Sequence, residues 1–480
     1  MKIHLRLLNI LVLFIILLGY PDHSIAQWSK SINLSPNAVS ALLNESMGSC
    51  IAVNGDTVHV VWADRFNSKK GAIFYTQSID TGNTWSTPIA ITDTNSNAWN
   101  PAIAVNGSSV HVVWRTIDTS NNAHRKSWYI HSLDGGLTWG TSVVVDTSIA
   151  DWPAVAVSGN TVYVANDIVT SASPYNTEIF FIRSLDNGTT WGSHQQLTFS
   201  VGRSEDEAIT AQGPEVYMSW NDNRNGSLQI FFKHSGDYGL TWDQDELINN
   251  EPSYGTMVSV NNTNVDIVSA GAPSGHYQIH LNQSPDGGNT WGTDKDLTND
   301  PTNTYYYPYM VRDGSNLHMT YVNSSVGGQY LHSDDGGTTW DSPFNLGYSN
   351  ITPFVAYSYC VVHVIMPDSG HINYRRNQTA NSGPHCITYT GSSVPIDPKL
   401  KVNVYPNPLT TQSTIEITSS EHVTNTNLKL FNILDQEILN TRFDKENKFV
   451  LHRENLESGI YLFKVFLNEK IISTGKIIVK

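Results

Sequence analysis

Short apolar runs, each too brief for a helix, recur along most of this chain in groups of three. A run such as Ile51-Ala52-Val53 or Ala102-Ile103-Ala104-Val105 leads. An alternating run follows, Val58-His59-Val60-Val61-Trp62 or Val110-His111-Val112-Val113-Trp114, and then a third, Ile73-Phe74-Tyr75 or Ile179-Phe180-Phe181. Runs of about four to eight such residues, bounded by Gly, Asn and Asp, predict β-strands. After the third run comes the phrase Ser-x-Asp-x-Gly-x-Thr-Trp, which returns six times, from Ser78, Ser132, Ser184, Ser235, Ser284 and Ser333. In it Asp can accept hydrogen bonds from turn amides, Gly can take φ > 0, and Trp opens a fourth strand as a buried anchor. A spacing of about 50 residues means that one supersecondary unit repeats, each copy burying its apolar face against its neighbours. Four short antiparallel strands per repeat make one blade of a β-propeller, so the fold class is all-β.

Repeat starts fall near Ile51, Ile103, Val155, Ile209, Met257, Met310 and Val355, seven starts for six phrases. The last repeat gives Val361-Val362-His363-Val364-Ile365 and His371-Ile372-Asn373-Tyr374, then stops before a fourth strand. Near the N-terminus, Trp28-Ser-Lys-Ser-Ile32-Asn33-Leu34 reads like Trp340-Asp-Ser-Pro-Phe344-Asn345-Leu346, the segment after the sixth phrase. The expectation is a composite seventh blade, in which the first strand pairs with the last three and removes two exposed sheet edges.

The phrase resembles the Asp-box of sialidase-like β-propellers, also called the BNR repeat. In that family the boxes lie on the face opposite the substrate, so the resemblance implies a scaffold role for Asp80, Asp134, Asp186, Asp237, Asp286 and Asp335. Six copies of one catalytic acid would also make no chemical sense. The sialidases it resembles have six blades, which is the alternative to seven here.

The two ends of the chain read differently. Lys2 and Arg6, an apolar stretch from Leu7 to Leu18 and Ser24-Ile25-Ala26 predict a secretory signal over residues 1–26. The propeller is expected over 27–377 and a Ser/Thr/Gly/Pro-rich linker over 378–401. A second domain, 402–480, opens with Val402-Asn-Val-Tyr405-Pro406-Asn407-Pro408. Strand-like runs follow at Ser413 to Thr418, Asn427 to Leu434, Phe449 to His452 and Gly459 to Val465, before Lys476-Ile477-Ile478-Val479-Lys480. The Tyr-Pro-Asn-Pro start, the Gly-x-Tyr strand and the basic-apolar end resemble the C-terminal sorting domain of type IX secretion substrates, a small β-sandwich. That resemblance implies recognition by the type IX machinery, and secretion or surface display by a Gram-negative bacterium via the periplasm.

Charge narrows the partners. Lys plus Arg number 28 against 43 Asp plus Glu, a formal charge of −15, with no basic stripe, which argues against nucleic acid. No apolar run after the signal reaches spanning length, so no membrane span is expected in the mature protein. Cys50, Cys360 and Cys386 have neither a disulfide-framework nor a metal-ligand spacing; a Cys360–Cys386 bridge and free thiols are both compatible with export. Asn221-x-Asn223-x-Asn225-Gly226 echoes a calcium loop but has Phe232 where the bidentate Glu belongs. Phosphate-loop, His-Glu-x-x-His and Gly-x-Ser-x-Gly motifs are missing as well, so neither metal nor cofactor is expected.

Ligand chemistry is expected on the face away from the boxes, in the loops after the second strand of each blade and those leading into the next. The aromatics Trp99, Trp152, Tyr254, Tyr305, Tyr306 and Tyr307 fall there, with Arg65, Arg115 and Arg224. Aromatic faces beside polar groups suit sugar rings. Trp99 and Trp152 stand near a Pro that opens an inner strand, where packing between blades is an equal reading. Sialidase chemistry needs three arginines on the substrate carboxylate, a Tyr activated by Glu, and an acid/base Asp. Arg203, Arg312, Asp64, Asp167, Asp222, Glu205, Glu207 and Glu251 complete an inventory, but the Arg-Ile-Pro element of sialidases is missing. Moreover Trp62-Ala-Asp64-Arg65 resembles Trp220-Asn-Asp222-Asn-Arg224, so the Asp and Arg follow the repeat. The expected function is a glycan- or protein-binding module acting on an extracellular glycan or glycoprotein. The alternative is an exo-acting glycoside hydrolase of sialidase type; catalytic residues are not assigned.

Overall fold

The computed structural model describes residues 28–44, 48–67, 70–117, 125–148, 150–172, 175–272, 275–347, 352–358, 360–378, 401–418, 426–431, 437–442, 448–453, 456–467 and 470–479. The signal segment, nearly all of the linker and Cys386 lie outside these. Contacts divide the chain into two units, 1–388 and 389–480.

In the first unit every described element is a β-strand, and the strands form seven sheets. The second sheet is representative: Ala98–Asn106, Ser109–Ile117, Arg125–Ser132 and Val143–Asp146, each antiparallel to the next. The innermost strands are Ile51–Asn54, Ala98–Asn106, Ala150–Ser158, Ser204–Gln212, Ser253–Asn261, Tyr305–Asp313 and Phe354–Ser358. Each lies beside the next, and Phe354–Ser358 lies beside Ile51–Asn54, which closes the ring. They surround a central channel of about 510 Å3, lined largely by Ala52, Ala104, Ala156, Ala211 and Ala356 with Met257 and Met310. Alanine at these channel positions leaves the space between strands unfilled.

Closure is made by the N-terminus. Ile32–Asn33 pairs with His371–Gln378 in register Ile32↔Tyr374, completing the sheet built on Phe354–Ser358 and Val361–Asp368. Trp28 meets Tyr330 of the sixth sheet edge-on, with centroids 5.0 Å apart. The box tryptophans do the same one sheet back: Trp85 on Tyr374, Trp139 on Tyr75, Trp191 on Tyr129, Trp242 on Phe181 and Trp291 on Phe232, at 4.7 to 5.2 Å. Trp28 therefore occupies the place that its likeness to Trp340 implies.

The repeated turns have one geometry. In the second, Asp134 accepts from Ser132 Oγ at 2.7 Å, Thr138 N at 2.8 Å and Thr138 Oγ1 at 2.6 Å, and Gly136 N donates to Ser132 Oγ. These donors hold the Asp134 carboxyl down at about 2. A Cβ at Gly136, whose φ is +87°, would stand 1.9 Å from the Tyr75 hydroxyl of the preceding sheet. The glycine is needed both for its backbone and for that approach. The same tyrosines are anchored by buried histidines: His59–Tyr75, His111–Tyr129, His318–Tyr330 and His363–Tyr374 are each 2.7 Å apart.

In the second unit Lys401–Tyr405, Gln412–Thr418 and Lys448–His452 form one sheet, and Glu437–Arg442, Thr426–Phe431, Gly459–Leu467 and Lys470–Val479 another. Its core gathers Leu409, Ile415, Ile417, Leu428, Leu430, Leu451, Phe463 and Ile477. Cys360 is disulfide-bonded and Cys50 is a buried free thiol.

Candidate functional site

Each box turn is tied to the hairpin joining the first two strands of its own sheet, as in Thr81 N donating to Asp56 O and Gly135 N to Ser108 O. The opposite ends of the inner strands therefore define the other face. There the second to sixth inner strands share a device invisible to a simple alternation count. Register shifts fall between Trp99 and Ala102, Asp151 and Ala154, Glu205 and Ala208, Tyr254 and Thr256, and Tyr306 and Tyr309. At each bulge one residue takes positive φ: Asn100 (+49°), Trp152 (+40°), Asp206 (+57°), Gly255 (+61°) and Tyr307 (+53°). Bulges re-aim side chains, and bulky residues held in this region cost about 1–3 kcal/mol each. The inner strands consequently begin before the prolines, and Trp99 and Trp152 belong to strands, not to loops.

The aromatic candidates divide. Tyr254, Tyr306 and Tyr307 are partly exposed and form a cluster: Tyr254–Tyr307 centroids are 5.7 Å apart, Tyr306–Tyr307 6.0 Å, and Tyr277, unnoticed in the sequence, joins at 5.8 Å from Tyr306. Tyr305 departs from expectation. It is 7 % exposed, stacks edge-on against Tyr321 in the core and donates its hydroxyl to Asp300 at 2.9 Å. Three adjacent tyrosines at a bulge cannot all face one way, and the first points into the sheet. Trp99 carries the Arg65 guanidinium 3.8 Å above its ring, and Trp152 has Arg115 at 5.3 Å.

The arginines do not converge as a clamp. Arg115 and Arg125 both bind the buried Asp151. Arg203 pairs with Glu205 at 3.2 Å. Arg224 binds Asp222 and Asp245 and lies 4.3 Å from the Phe231 ring, toward the outer strands. Arg312 binds Asp266 and the Gly314 carbonyl at the box end, away from this face. Nor is Tyr254 an activated phenol. Burial pushes the Tyr254 phenol up, and the charge of Asp206 and a hydrogen bond with Tyr307 add to it.

The fourth inner strand is the exception among these bulges. Where the second, third and sixth carry Trp-Asn-Pro, Asp-Trp-Pro and Tyr-Tyr-Pro and the fifth carries Tyr-Gly-Thr, it carries three acids, Glu205-Asp206-Glu207. Glu207 is 1 % exposed and neither carboxyl oxygen has a hydrogen-bond partner. Asp167, 2 % exposed, has Oδ1 unpartnered. Its counterparts are satisfied: Asp64 accepts from Val39 N and Ser40 N, and Asp222 from Ser204 Oγ, Trp220 Nε1 and Arg224 N. Asp167 instead stands across the ladder from Asp151, acid opposite acid. Burial holds the Asp167 carboxyl well above the usual range, with Asp206 and Glu205 adding to the effect. Burial does the same to Glu207, with Asp167 next. The signal that could have found this cluster was the one repeat whose proline is replaced by an acid. Among the described residues no group of His, Cys, Asp and Glu is arranged to hold a metal ion.

The strands of the first unit form a β-propeller, and the chain ends in a C-terminal sorting domain, which indicates export by type IX secretion. Residues 403–480 match the family model described as secretion system C-terminal sorting domain. No curated protein matches the chain in sequence. Among solved structures, an ulvan lyase, a polysaccharide lyase, is 10 % identical, covering 72 % of this chain and 95 % of its own, with a TM-score of 0.49. The α-L-arabinofuranosidase of Fusarium graminearum is 12 % identical over 58 % of this chain and 92 % of its own, with a TM-score of 0.40. The NanB sialidase of Streptococcus pneumoniae is 14 % identical over 71 % and 69 %, with a TM-score of 0.38. No described helix is long and apolar enough to cross a membrane.

Proposed function

We propose that this protein is an extracellular glycan-binding propeller whose ligand lies across the bulged ends of the second to sixth inner strands. The observation that carries this reading is the recurrence of one bulge in five successive sheets, each presenting different polar or aromatic side chains on the same face. Tyr254, Tyr306 and Tyr307 offer stacking surfaces for the C–H faces of a sugar. Glu205, Asp206 and Arg203 beside them offer acceptors and donors for hydroxyls. The Arg65–Trp99 stack supplies a second platform at the other edge.

The test is glycan-array binding with the purified protein, followed by Tyr307→Gly and Tyr306→Ala. Glycine suits the positive φ of residue 307, so the first variant keeps the backbone and removes the ring. Each should weaken the best ligand about 5- to 150-fold, as expected for a stacking contact of about 1–3 kcal/mol. Unchanged affinity in both would refute the placement. An exo-sialidase reading is weakly supported, because Arg115, Arg203, Arg224 and Arg312 are committed to carboxylates of the protein itself. An activated sialoside should not be hydrolysed.

A further inference from the structure

In each of the first six sheets the box is tied to one point of the fold. The turn joining the first two strands holds two residues, as between Asn54 and Thr57, and the carbonyl of the second accepts from a box amide. Asp56, Ser108, Asn160, Pro214, Thr263 and Ser315 are those acceptors, at 2.8 to 2.9 Å. The seventh sheet has the same two-residue turn, between Ser358 and Val361, but no box phrase follows its third strand. Its second turn residue is Cys360, which is disulfide-bonded. Two observations set this residue apart from its counterparts. All six of them are exposed, whereas Cys360 is 6 % exposed, so something covers it. It also takes φ of +63°, while in the other six turns the positive φ falls on the first residue, a glycine or Asn262. A side-chain-bearing residue stays in that region only where its surroundings hold it.

We propose that Cys360 is bridged to Cys386, and that this bridge stands in for the missing seventh box by fastening the start of the linker onto the box end of the ring. The chain has three cysteines, and Cys50 is the free one. Cys50 precedes Ile51–Asn54 on the face away from the boxes, fully buried, with its Sγ engaged by Asn44 N and Pro101 O. Gln378 pairs with Val361, so the third strand ends beside Cys360, and Cys386 is the next cysteine along the chain. The boundary between the two units falls after residue 388, beyond Cys386. Formation of the bond turns two thiols into one disulfide with loss of two protons. The two electrons pass by exchange to a protein disulfide of the exporting compartment, which becomes a dithiol. The connection to the second unit then starts after Cys386 and not at Gln378. A cut between those two residues leaves the units joined, and a cut beyond residue 388 parts them.

The experiment uses the oxidised full chain. Thiol titration in denaturant should find Cys50 alone, and all three cysteines after reduction. Digestion without reductant should yield, by mass spectrometry, a peptide holding Cys360 joined to one holding Cys386. Cys386→Ser should lower the melting temperature of the propeller by about 3–7 °C. Reductant should lower the wild type equally and leave Cys386→Ser unmoved, because both remove the same bond. A specific protease site inserted after Ala380 should, once cut, leave propeller and tail together on a non-reducing gel and apart on a reducing one. The same site inserted after Thr390 should part them on both. Three reactive thiols without reductant, a bridge that includes Cys50, or a reductant-sensitive dimer joined through Cys360 would overturn the pairing. A Cys360–Cys386 bridge whose loss leaves the melting temperature unchanged would overturn its role in place of the box.

Discussion

Trp28→Ala tests whether the N-terminal segment closes the ring. The Trp28 ring is 9 % exposed, meets Tyr330 edge-on at 5.0 Å, stacks on Phe344 at 5.2 Å and lies 5.8 Å from the Arg375 guanidinium. Removing a buried tryptophan costs about 3–5 kcal/mol. A ring of about 350 residues unfolding as one unit, at about 2.1 cal/mol/K per residue, has an unfolding entropy near 0.7 kcal/mol/K. The expected fall in melting temperature is therefore about 4–7 °C by calorimetry on the propeller transition. Leu133→Ala is the control: that side chain is 53 % exposed, and its loss should move the midpoint by less than about 1 °C. If Trp28→Ala melted with the control, the first strand would not be part of the cooperative unit, and the closed ring would be refuted.

Three further outcomes follow from the same geometry. Asp134→Ala strands Thr138 N and the Ser132 hydroxyl on the face away from the proposed ligand, so it should lower the melting temperature and leave glycan binding unchanged; lost binding at constant stability would contradict a scaffold role. His59, His111 and His363 are held by burial down to about 4, 3 and 3, so the folded state binds fewer protons than the unfolded one below pH 6.5. Their contribution is complete above the unfolded value and is lost as pH falls toward 4, at about 1.4 kcal/mol per pH unit for each imidazole, and urea midpoints at pH 7 and pH 5 that coincide would exclude it. Truncation before Val402 should leave a folded propeller in the periplasm, detected by cell fractionation, and normal surface display of the truncated chain would remove the export role of the tail.

The architecture was legible because its causes are local and repeated. The box residues satisfy one another within five positions, and the likeness of Trp28 through Leu34 to Trp340 through Leu346 points to the closing strand. The bulges were not legible. Trp99, Trp152 and Tyr306 read as loop residues because the alternation breaks at the following proline, and only the pairing register reveals that the strand continues through it. Tyr305 misled for the same reason, since a one-residue slip at a bulge reverses which side chain faces the core. Arg125 and Tyr277 gave no signal, because each sits just beyond a loop whose length the sequence does not fix.

A repeated fold also explains why the phrase that is easiest to find says least about chemistry. Residues common to every blade serve the contacts every blade must make, as the tryptophan-to-aromatic contacts around the ring do. A ligand is not sevenfold symmetric, so whatever recognises it must depend on residues that differ between blades at equivalent places. At the bulge those residues run from Trp-Asn to Asp-Trp, Glu-Asp, Tyr-Gly and Tyr-Tyr around the ring. The fourth pair alone brings two carboxyls, backed by Asp167 and Glu207 with oxygens that no donor reaches. Buried carboxyls without partners lower stability, and a scaffold gains nothing from them. Their presence where the repeat is broken, behind a half-exposed acid pair and beside a tyrosine cluster, is what directs the search for chemistry to the third and fourth blades.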